Sequence, residues 1–292
     1  MSGVSLATRP FAGLADLTFA PRAGRTRLVV SQIRPPLLAG RVLYPDEALP
    51  DLAHLILANP TAGIFAGDRL HVRVRVRAGG RAHVTTQAAT RIHTMLAGGE
   101  SQRIGLFVEA GAELEWLPDP TIPFRGARFT NSTQIIVAPG GTKIYGDIFT
   151  PGRVASGESF AYTRLTTRLT VTRPTGELLY REAASSVPAR RSPLGRGLLG
   201  GGAATSGTLL IVSDISPVVL RDAVRTALAE VAGERPDVLA EVGLLPGGGG
   251  VCVKVARRRG RARHGAPARG VGRGAVAALE MRHYRSSASI SR

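Results

Sequence analysis

The 292-residue chain is poor in several residue types that would otherwise define its class. Its single cysteine, Cys252, excludes an internal disulfide framework and a zinc site built from cysteines. Aromatic residues make up only 5% of the chain, so aliphatic residues and alanine must fill its core. No apolar run approaches the roughly 18 residues that a membrane-spanning helix needs, and the N-terminus lacks the charged start and apolar stretch of a signal peptide. We therefore expect a cytoplasmic protein without a membrane partner.

Lysine is also nearly absent, although the chain is strongly basic. Lys143 and Lys254 are its only lysines, so arginine supplies almost all of the formal net charge of +17. Residues 257–292 hold ten arginines and one acid, Glu280, and therefore carry +9 of that charge. A basic chain is compatible with nucleic-acid binding. However, the concentration of charge in one segment and the abundance of Arg, Ala, Gly and Pro point to codon bias as much as to function, which argues against nucleic acid as the main partner.

Alternation of apolar and polar residues dominates the sequence. Between Leu70 and Arg77, valines alternate with arginines and a histidine, so one face of this strand would be apolar and the other cationic. Many short strands, separated by turns with Gly or Pro, predict a mainly β fold of stacked or twisted sheets. The spacing does not decide between a β-helix-like and a sandwich-like arrangement. The predicted strands are 27–33, 70–77, 82–87, 104–108, 113–117, 133–137, 142–149, 160–173, 208–212 and 250–255.

One helix is well signalled toward the C-terminus, where we expect one or two helices. Ser216 can cap it, Pro217 suits its first turn, and seven aliphatic residues between Val219 and Val231 form one stripe. Residues 1–256 are predicted to form a single domain, and residues 257–292 a basic tail. The stretch 257–274 has no period and few apolar residues, so it cannot bury enough surface to offset the entropy of ordering it. It is either a disordered tail or a stretch of altered reading frame.

The segment NPTAGIFAGDRL, residues 59–70, is the most informative motif. Gly63 and Gly67 fit a turn between strands, and Asp68 stands where a turn carboxylate can bond back to the backbone. The segment is not a phosphate loop, because only three residues separate its glycines and an acid stands where lysine would be needed. An acidic side chain would repel phosphate, so we expect no nucleotide at this turn.

Signals for catalysis are weak. The chain has no Gly-x-Ser-x-Gly elbow. His71, His83 and His93 could converge on a metal such as nickel, but their spacing is not that of a tight ligand set, and isolated strand histidines are more often structural. Two alternative functions remain. One is a basic β-domain that binds nucleic acid, which would need aromatic residues interleaved with arginine. The other is a metal-dependent hydrolase, which would need three converging ligands and a base.

Five segments, taken in order, make the chain resemble a known family. They are PPLL (35–38), NPTAGIFAGDRL (59–70), TTQAATRIH (85–93), EWLPDPTIPFRGARF (115–129) and GDIFTPGRVASGESF (146–160). Their set and order resemble the urease accessory protein UreD family, also called UreH, over roughly residues 28–255. The chain departs from the family pattern at residues 61–67, where paired glycines are usual. The likeness also fades after Val255.

The resemblance implies a scaffold that is not an enzyme and has no intrinsic cofactor. Proteins of this family are mainly β, bind the accessory protein UreF and through it the GTPase UreG, and dock on apo-urease. They pass Ni²⁺ toward the urease active site and line an internal passage for it. The matching positions here are Asp68, Thr86, Gln87 and Asp147, whose oxygen atoms would bind an ion weakly enough for it to enter and leave. For Asp68, a turn cap is the competing interpretation.

Overall fold

Strands dominate the computed structural model of the protein, as the alternating pattern predicts. The structure describes residues 12–95, 99–190, 203–234 and 237–258. Within these residues, seventeen strands form two sheets, and one α-helix packs against the second sheet. No helix in this part of the chain is long and apolar enough to cross a membrane.

The strands and the helix follow one another along the chain with short connections. The elements are β1 (Ala12–Arg22), β2 (Arg25–Arg34), β3 (Leu38–Ala39), β4 (Ala53–Ala58), β5 (Arg69–Val76), β6 (Arg81–Thr86), β7 (Thr90–Ile92), β8 (Glu100–Val108), β9 (Glu113–Trp116), β10 (Thr121–Pro123), β11 (Arg128–Val137), β12 (Thr142–Phe149), β13 (Arg164–Thr172), β14 (Leu178–Ser186), β15 (Ala203–Val212), α1 (Pro217–Glu234), β16 (Val238–Leu244) and β17 (Gly250–Arg258).

Both sheets have parallel strands in the middle and antiparallel strands at the two ends. The first sheet has the order β14-β13-β11-β8-β5-β1-β2, in which only the two outer pairings are antiparallel. The second has ten strands; its main path is β16-β17-β15-β12-β9-β6-β4-β3, and β7 and β10 lie beside it. Its central strands β4, β6, β9 and β12 are parallel neighbours.

The chain alternates between the sheets, which makes the fold a two-sheet coil. β4, β6, β9 and β12 belong to the second sheet, whereas β5, β8, β11 and β13 belong to the first. Each parallel neighbour is therefore reached through a strand of the opposite sheet, which supplies the crossover that parallel pairing requires. The β-helix-like prediction is confirmed, and the two stacked faces also give the layered core of a sandwich. The turn at residues 59–68 joins strands of opposite sheets and is not a hairpin turn.

The main hydrophobic core fills the space between the sheets. Leu17, Phe19, Val74, Leu106 and Leu114 are among its fully buried side chains. Each such side chain contributes about 1.5–3 kcal/mol by leaving water. Because every second residue of a strand points inward, the alternating pattern of the sequence is sufficient to build this layer.

The predicted helix is confirmed and is slightly longer than expected. It begins at Pro217, as the sequence indicates, and continues through Gly233 to Glu234. Leu220 and Val224 are buried in a second hydrophobic cluster with side chains of β15, β16 and β17. The apolar stripe of α1 therefore covers the outer face of one end of the second sheet.

The last described strand reaches past the predicted domain boundary. β17 pairs with β15 and β16 and ends at Arg258, two residues after Ala256. The side chain of Arg257 forms an ion pair with Asp237, just before β16. Residues 259–292 lie outside the described residues. The division into a domain and a basic tail therefore stays a prediction, with strand pairing extending to Arg258.

Candidate functional site

The turn at residues 59–68 is held tightly against β7. The side-chain amide of Asn59 donates a hydrogen bond of 3.0 Å to the carbonyl of Gly63. The amide of Ile64 donates to the carbonyl of Arg91 at 2.8 Å. Gly63 has φ +147, and a Cβ there would lie 2.4 Å from the Arg91 oxygen. Only glycine, which has no Cβ, lets the backbone at position 63 come this close to the Arg91 oxygen. This explains why glycine stands at this position of the motif.

Asp68 caps this turn. Its Oδ2 accepts a hydrogen bond of 2.9 Å from the amide of Phe65, and the Asp68 amide donates to the Phe65 carbonyl at 3.0 Å. The residue is only 2% exposed. Asp68 is absent from the walls of both cavities described below. The turn-cap interpretation therefore has direct geometric support, whereas a passage-lining role for Asp68 stays a prediction.

The other three predicted site residues lie around one cavity. It has a volume of about 150 Å³, and its walls include Thr86 at the end of β6, Gln87 directly after this strand, and Asp147 of β12. Thr86 Oγ1 accepts a hydrogen bond of 2.9 Å from the Asp119 amide and donates one of 3.2 Å to the Ala88 carbonyl. The fold thus brings together residues that are about 60 positions apart in the sequence, because β6, β9 and β12 are consecutive strands of the second sheet.

A second, larger cavity opens where the sheets separate. It has a volume of about 590 Å³ and lies between β13 and β14 on one side and β12, β15 and β17 on the other. Asn131, Tyr145 and Asp147 line both cavities. The two cavities therefore meet at Asp147, which faces both of them.

Burial controls the charge of Asp147. Loss of hydration raises the pKa of its carboxyl to about 7, although a hydrogen bond from Tyr145 opposes this shift. Glu182 raises the pKa of Asp147 further, whereas Lys254 lowers it. Near neutral pH the group is therefore divided between a neutral acid and a carboxylate.

An ion pair joins the two walls of the larger cavity, because Lys254 lies on β17 in the same sheet as Asp147, whereas Glu182 lies on β14 of the other sheet. Lys254 Nζ donates hydrogen bonds to both carboxylate oxygens of Glu182, at 2.6 and 2.5 Å, and to Thr208 Oγ1 at 2.8 Å. The hydroxyl of Tyr180 donates to Glu182 Oε2 at 2.7 Å. Sequence analysis did not select these residues. The only available signal was the rarity of lysine, and Lys143, the other lysine, is instead buried in the core with its pKa lowered by burial.

The three histidines do not converge. His71 is exposed on the outer face of β5, and His83 lies 2.7 Å from Glu115 Oε2 on the second sheet. His93 stacks on Phe65 with ring centroids 4.2 Å apart. Within the described ranges, no three His, Cys, Asp or Glu side chains are arranged to hold a metal ion. Nothing in this part of the chain supports the metal-hydrolase alternative.

The fold defines a mainly-β protein of two stacked sheets, with two cavities that meet at Asn131, Tyr145 and Asp147. A family model described as "UreD urease accessory protein" matches residues 12–287. The chain therefore belongs to the UreD urease accessory protein family, and its role is in the maturation of urease. This confirms the resemblance seen in the sequence.

Three similar proteins come from three different organisms. The chain is 40% identical to urease accessory protein UreD 2 of Streptomyces griseus over 248 residues, which is 83% of this chain and 82% of that protein. It is 31% identical to urease accessory protein UreD of Cenarchaeum symbiosum over 244 residues, 84% of each chain. It is also 31% identical to that of Haloarcula marismortui, covering 83% of this chain and 79% of the relative. These relatives are accessory proteins and are not enzymes by name.

Proposed function

We propose that this protein is the scaffold subunit of the machinery that inserts nickel into urease, and that Ni²⁺ passes through its two cavities by way of Asp147. The observation that carries this proposal is the meeting of the cavities at one titratable carboxyl group. Family membership supplies the context of urease maturation.

The chemistry around Asp147 suits transport better than storage. The walls of the smaller cavity offer hydroxyl and amide oxygens beside two acids, Asp119 and Asp147, and, among the described residues, no imidazole or thiolate, which is a weak ligand set for nickel. A dedicated cage of imidazole or thiolate groups would hold nickel tightly, whereas successive weak sites let an ion enter and leave. Protonation of Asp147 near neutral pH would release the ion. Ni²⁺ is cargo in this scheme, and the protein holds no resident cofactor.

The protein would act through contact with other proteins and not through catalysis. The partners that the family resemblance implies are UreF, UreG and apo-urease, and the assembly would work in the cytoplasm. The larger cavity, at the end of the sheets, would face the protein that donates or receives the ion. This orientation follows from the need to keep a desolvated cation away from bulk water between carriers.

The test is urease maturation with the full chain and its accessory proteins co-expressed. Asp147→Ala and Asp147→Asn are compared with Glu47→Gln, which changes an exposed acid outside the walls of both cavities. We expect the Asp147 variants to lower the nickel content of purified urease severalfold while still co-purifying with the partner proteins. The control should load urease fully. Normal nickel content with Asp147→Ala would remove the proposed route, and loss of co-purification would show a structural defect instead.

A further inference from the structure

The outer face of the seven-stranded sheet is strongly cationic. Outward-pointing positions alternate along β5, β8, β11 and β13, and the strand register aligns them into rows. We call this surface the basic face. Nine arginines and one histidine lie on it: Arg34, Arg69, His71, Arg73, Arg75, Arg103, Arg128, Arg164, Arg168 and Arg181. All except Arg75, which is half-buried, are exposed.

Basic side chains stand directly opposite one another on this face. His71 is the strand partner of Arg103, and Arg128 is the partner of Arg164. Asp16 is the one acid on the described part of the face, and it pairs with Arg73 at 2.9 Å. Like charges at directly opposed positions destabilise a sheet. This repulsion lowers the stability of the folded sheet, and nothing on the described part of the sheet offsets it.

In the second sheet, by contrast, the basic side chains of β6 are paired with acids. On β6, Arg81 is paired with Glu113 at 2.9 Å and with Asp51 at 3.3 Å. His83, two residues along, is paired with Glu115. General arginine enrichment would affect both sheets, yet on the described part of the basic face only Arg73 is paired with an acid. The unbalanced charge is therefore a property of this surface and not of the whole chain.

We propose that the basic face docks on an acidic protein surface. Guanidinium groups bind carboxylates through two parallel hydrogen bonds, and arginine is enriched at protein interfaces. Ser101, Thr130 and Ser132, which lie between the arginines in the same rows, supply hydroxyl groups for the rim of such a contact. This inference does not depend on the proposed ion route.

A protein partner fits the face better than nucleic acid does. The face is a sheet surface without a helix or loop among its described elements that could enter a groove of duplex DNA. Single strands are bound by stacking on aromatic rings. Phe107 is the one aromatic residue at the outward positions, and Arg75 covers its ring at 5.3 Å from the centroid.

The test measures binding of poly-L-glutamate to the full chain by fluorescence anisotropy at 150 mM salt. Arg103→Glu with Arg164→Glu reverses two charges on the face. Arg41→Glu with Arg225→Glu makes the same change in net charge at exposed positions away from it. We expect the face variant to bind about tenfold more weakly than the wild type, and the control to stay within about twofold. The face variant should fold, because Arg164→Glu places an acid opposite Arg128 and Arg103→Glu places one opposite His71. The control should fold because both of its positions are exposed.

Three results would overturn the proposal. Equal losses in the two double variants would show that binding follows net charge alone. Absence of measurable binding by the wild type would show that the face does not recognise carboxylates. A duplex DNA of the same charge that binds more tightly than poly-L-glutamate, and loses that affinity in the face variant only, would assign the face to nucleic acid.

Discussion

The hydroxyl of Tyr145 donates a hydrogen bond of 3.1 Å to Oδ2 of Asp147 at the junction of the two cavities. The residues are two apart on β12, so their side chains point to the same face. Burial raises the pKa of Tyr145 well above its usual value, and Asp147 adds to this effect. Tyr145 therefore stays a neutral donor in the physiological range, while Asp147 titrates.

Tyr145→Phe should raise the pKa of Asp147. The lost hydrogen bond stabilises the carboxylate, so without it the neutral acid is favoured by roughly one further pKa unit. Carbon-detected NMR titration of the Asp147 carboxyl measures the shift. Tyr44→Phe, which removes a hydroxyl bonded to the Thr26 carbonyl at 2.6 Å, is the matched control and should leave Asp147 unchanged. An unaltered titration in Tyr145→Phe would contradict the assigned role.

Asp147 should also make the protein less stable as pH rises from about 4 to about 7. Its pKa is higher in the folded state than in the unfolded state, so the folded protein is favoured while the group is protonated and loses that advantage as it ionises. The loss has an upper limit of about 4 kcal/mol, reduced by cavity water. Asp147→Asn should flatten this part of the profile, measured by urea unfolding at several pH values. An unchanged slope would refute the prediction.

Glu100 should also make the protein less stable as pH rises, over a range that extends to about pH 8. It is 4% exposed, neither carboxylate oxygen has a hydrogen-bond partner, and burial followed by the nearby Asp68 raises its pKa to about 8. Glu100→Gln keeps the shape of the neutral acid, so it should leave the melting temperature at pH 5 nearly unchanged and raise it at pH 9. Glu177→Gln, which changes an exposed acid, should leave the melting temperature unchanged at both pH values. Equal melting curves of wild type and Glu100→Gln at pH 9 would contradict this.

Gly63→Ala should destabilise the protein by at least about 2 kcal/mol, because both backbone strain and a clash oppose the methyl group. Gly176→Ala separates these causes, since Gly176 also has positive φ but has open space around its Cβ position. Gly176→Ala should lower the free energy of unfolding by about 1 kcal/mol, through backbone strain alone. Urea unfolding measures both values. Equal losses would mean that the contact with the Arg91 carbonyl contributes nothing.

Shortening the chain tests the domain boundary. A chain that ends at Arg258 keeps all of β17 and should retain the unfolding transition of the full chain. A chain that ends at Ala256 loses the ion pair of Arg257 with Asp237 and the last strand pairs, so it should unfold earlier by about 1 kcal/mol. Failure of the first variant to fold would place part of the domain beyond Arg258.

Local pattern predicted most of the strands, but not how the chain passes between them. The valines of β5 alternate as expected, and such alternation looks the same in a hairpin and in a coil that crosses between sheets. Seven strands were not predicted: β1, β3, β4, β7, β10, β14 and β16. β14, for example, carries Ala183, Ala184 and Ser185, which give little contrast between its two faces.

The site was less predictable than the fold, because its residues come from separate strands. Thr86, Gln87 and Asp147 were selected through family resemblance, and the register of the second sheet brings them to one cavity. Glu182 and Lys254 meet only because β14 and β17 line opposite walls of the larger cavity. No local motif encodes such a pairing over 72 positions.

The antiparallel strand β2 forms one edge of the first sheet. Its side chains affect whether two copies of this protein can join edge to edge in a crowded solution. A coil of parallel strands leaves an open row of backbone donors and acceptors at its end, onto which a strand of a second molecule could add. Here that edge presents Arg25, Arg27 and Arg34, all exposed, so two copies meeting edge to edge would bring their guanidinium groups together. Electrostatic repulsion at this strand therefore opposes fibre-like growth of the coil from one molecule to the next.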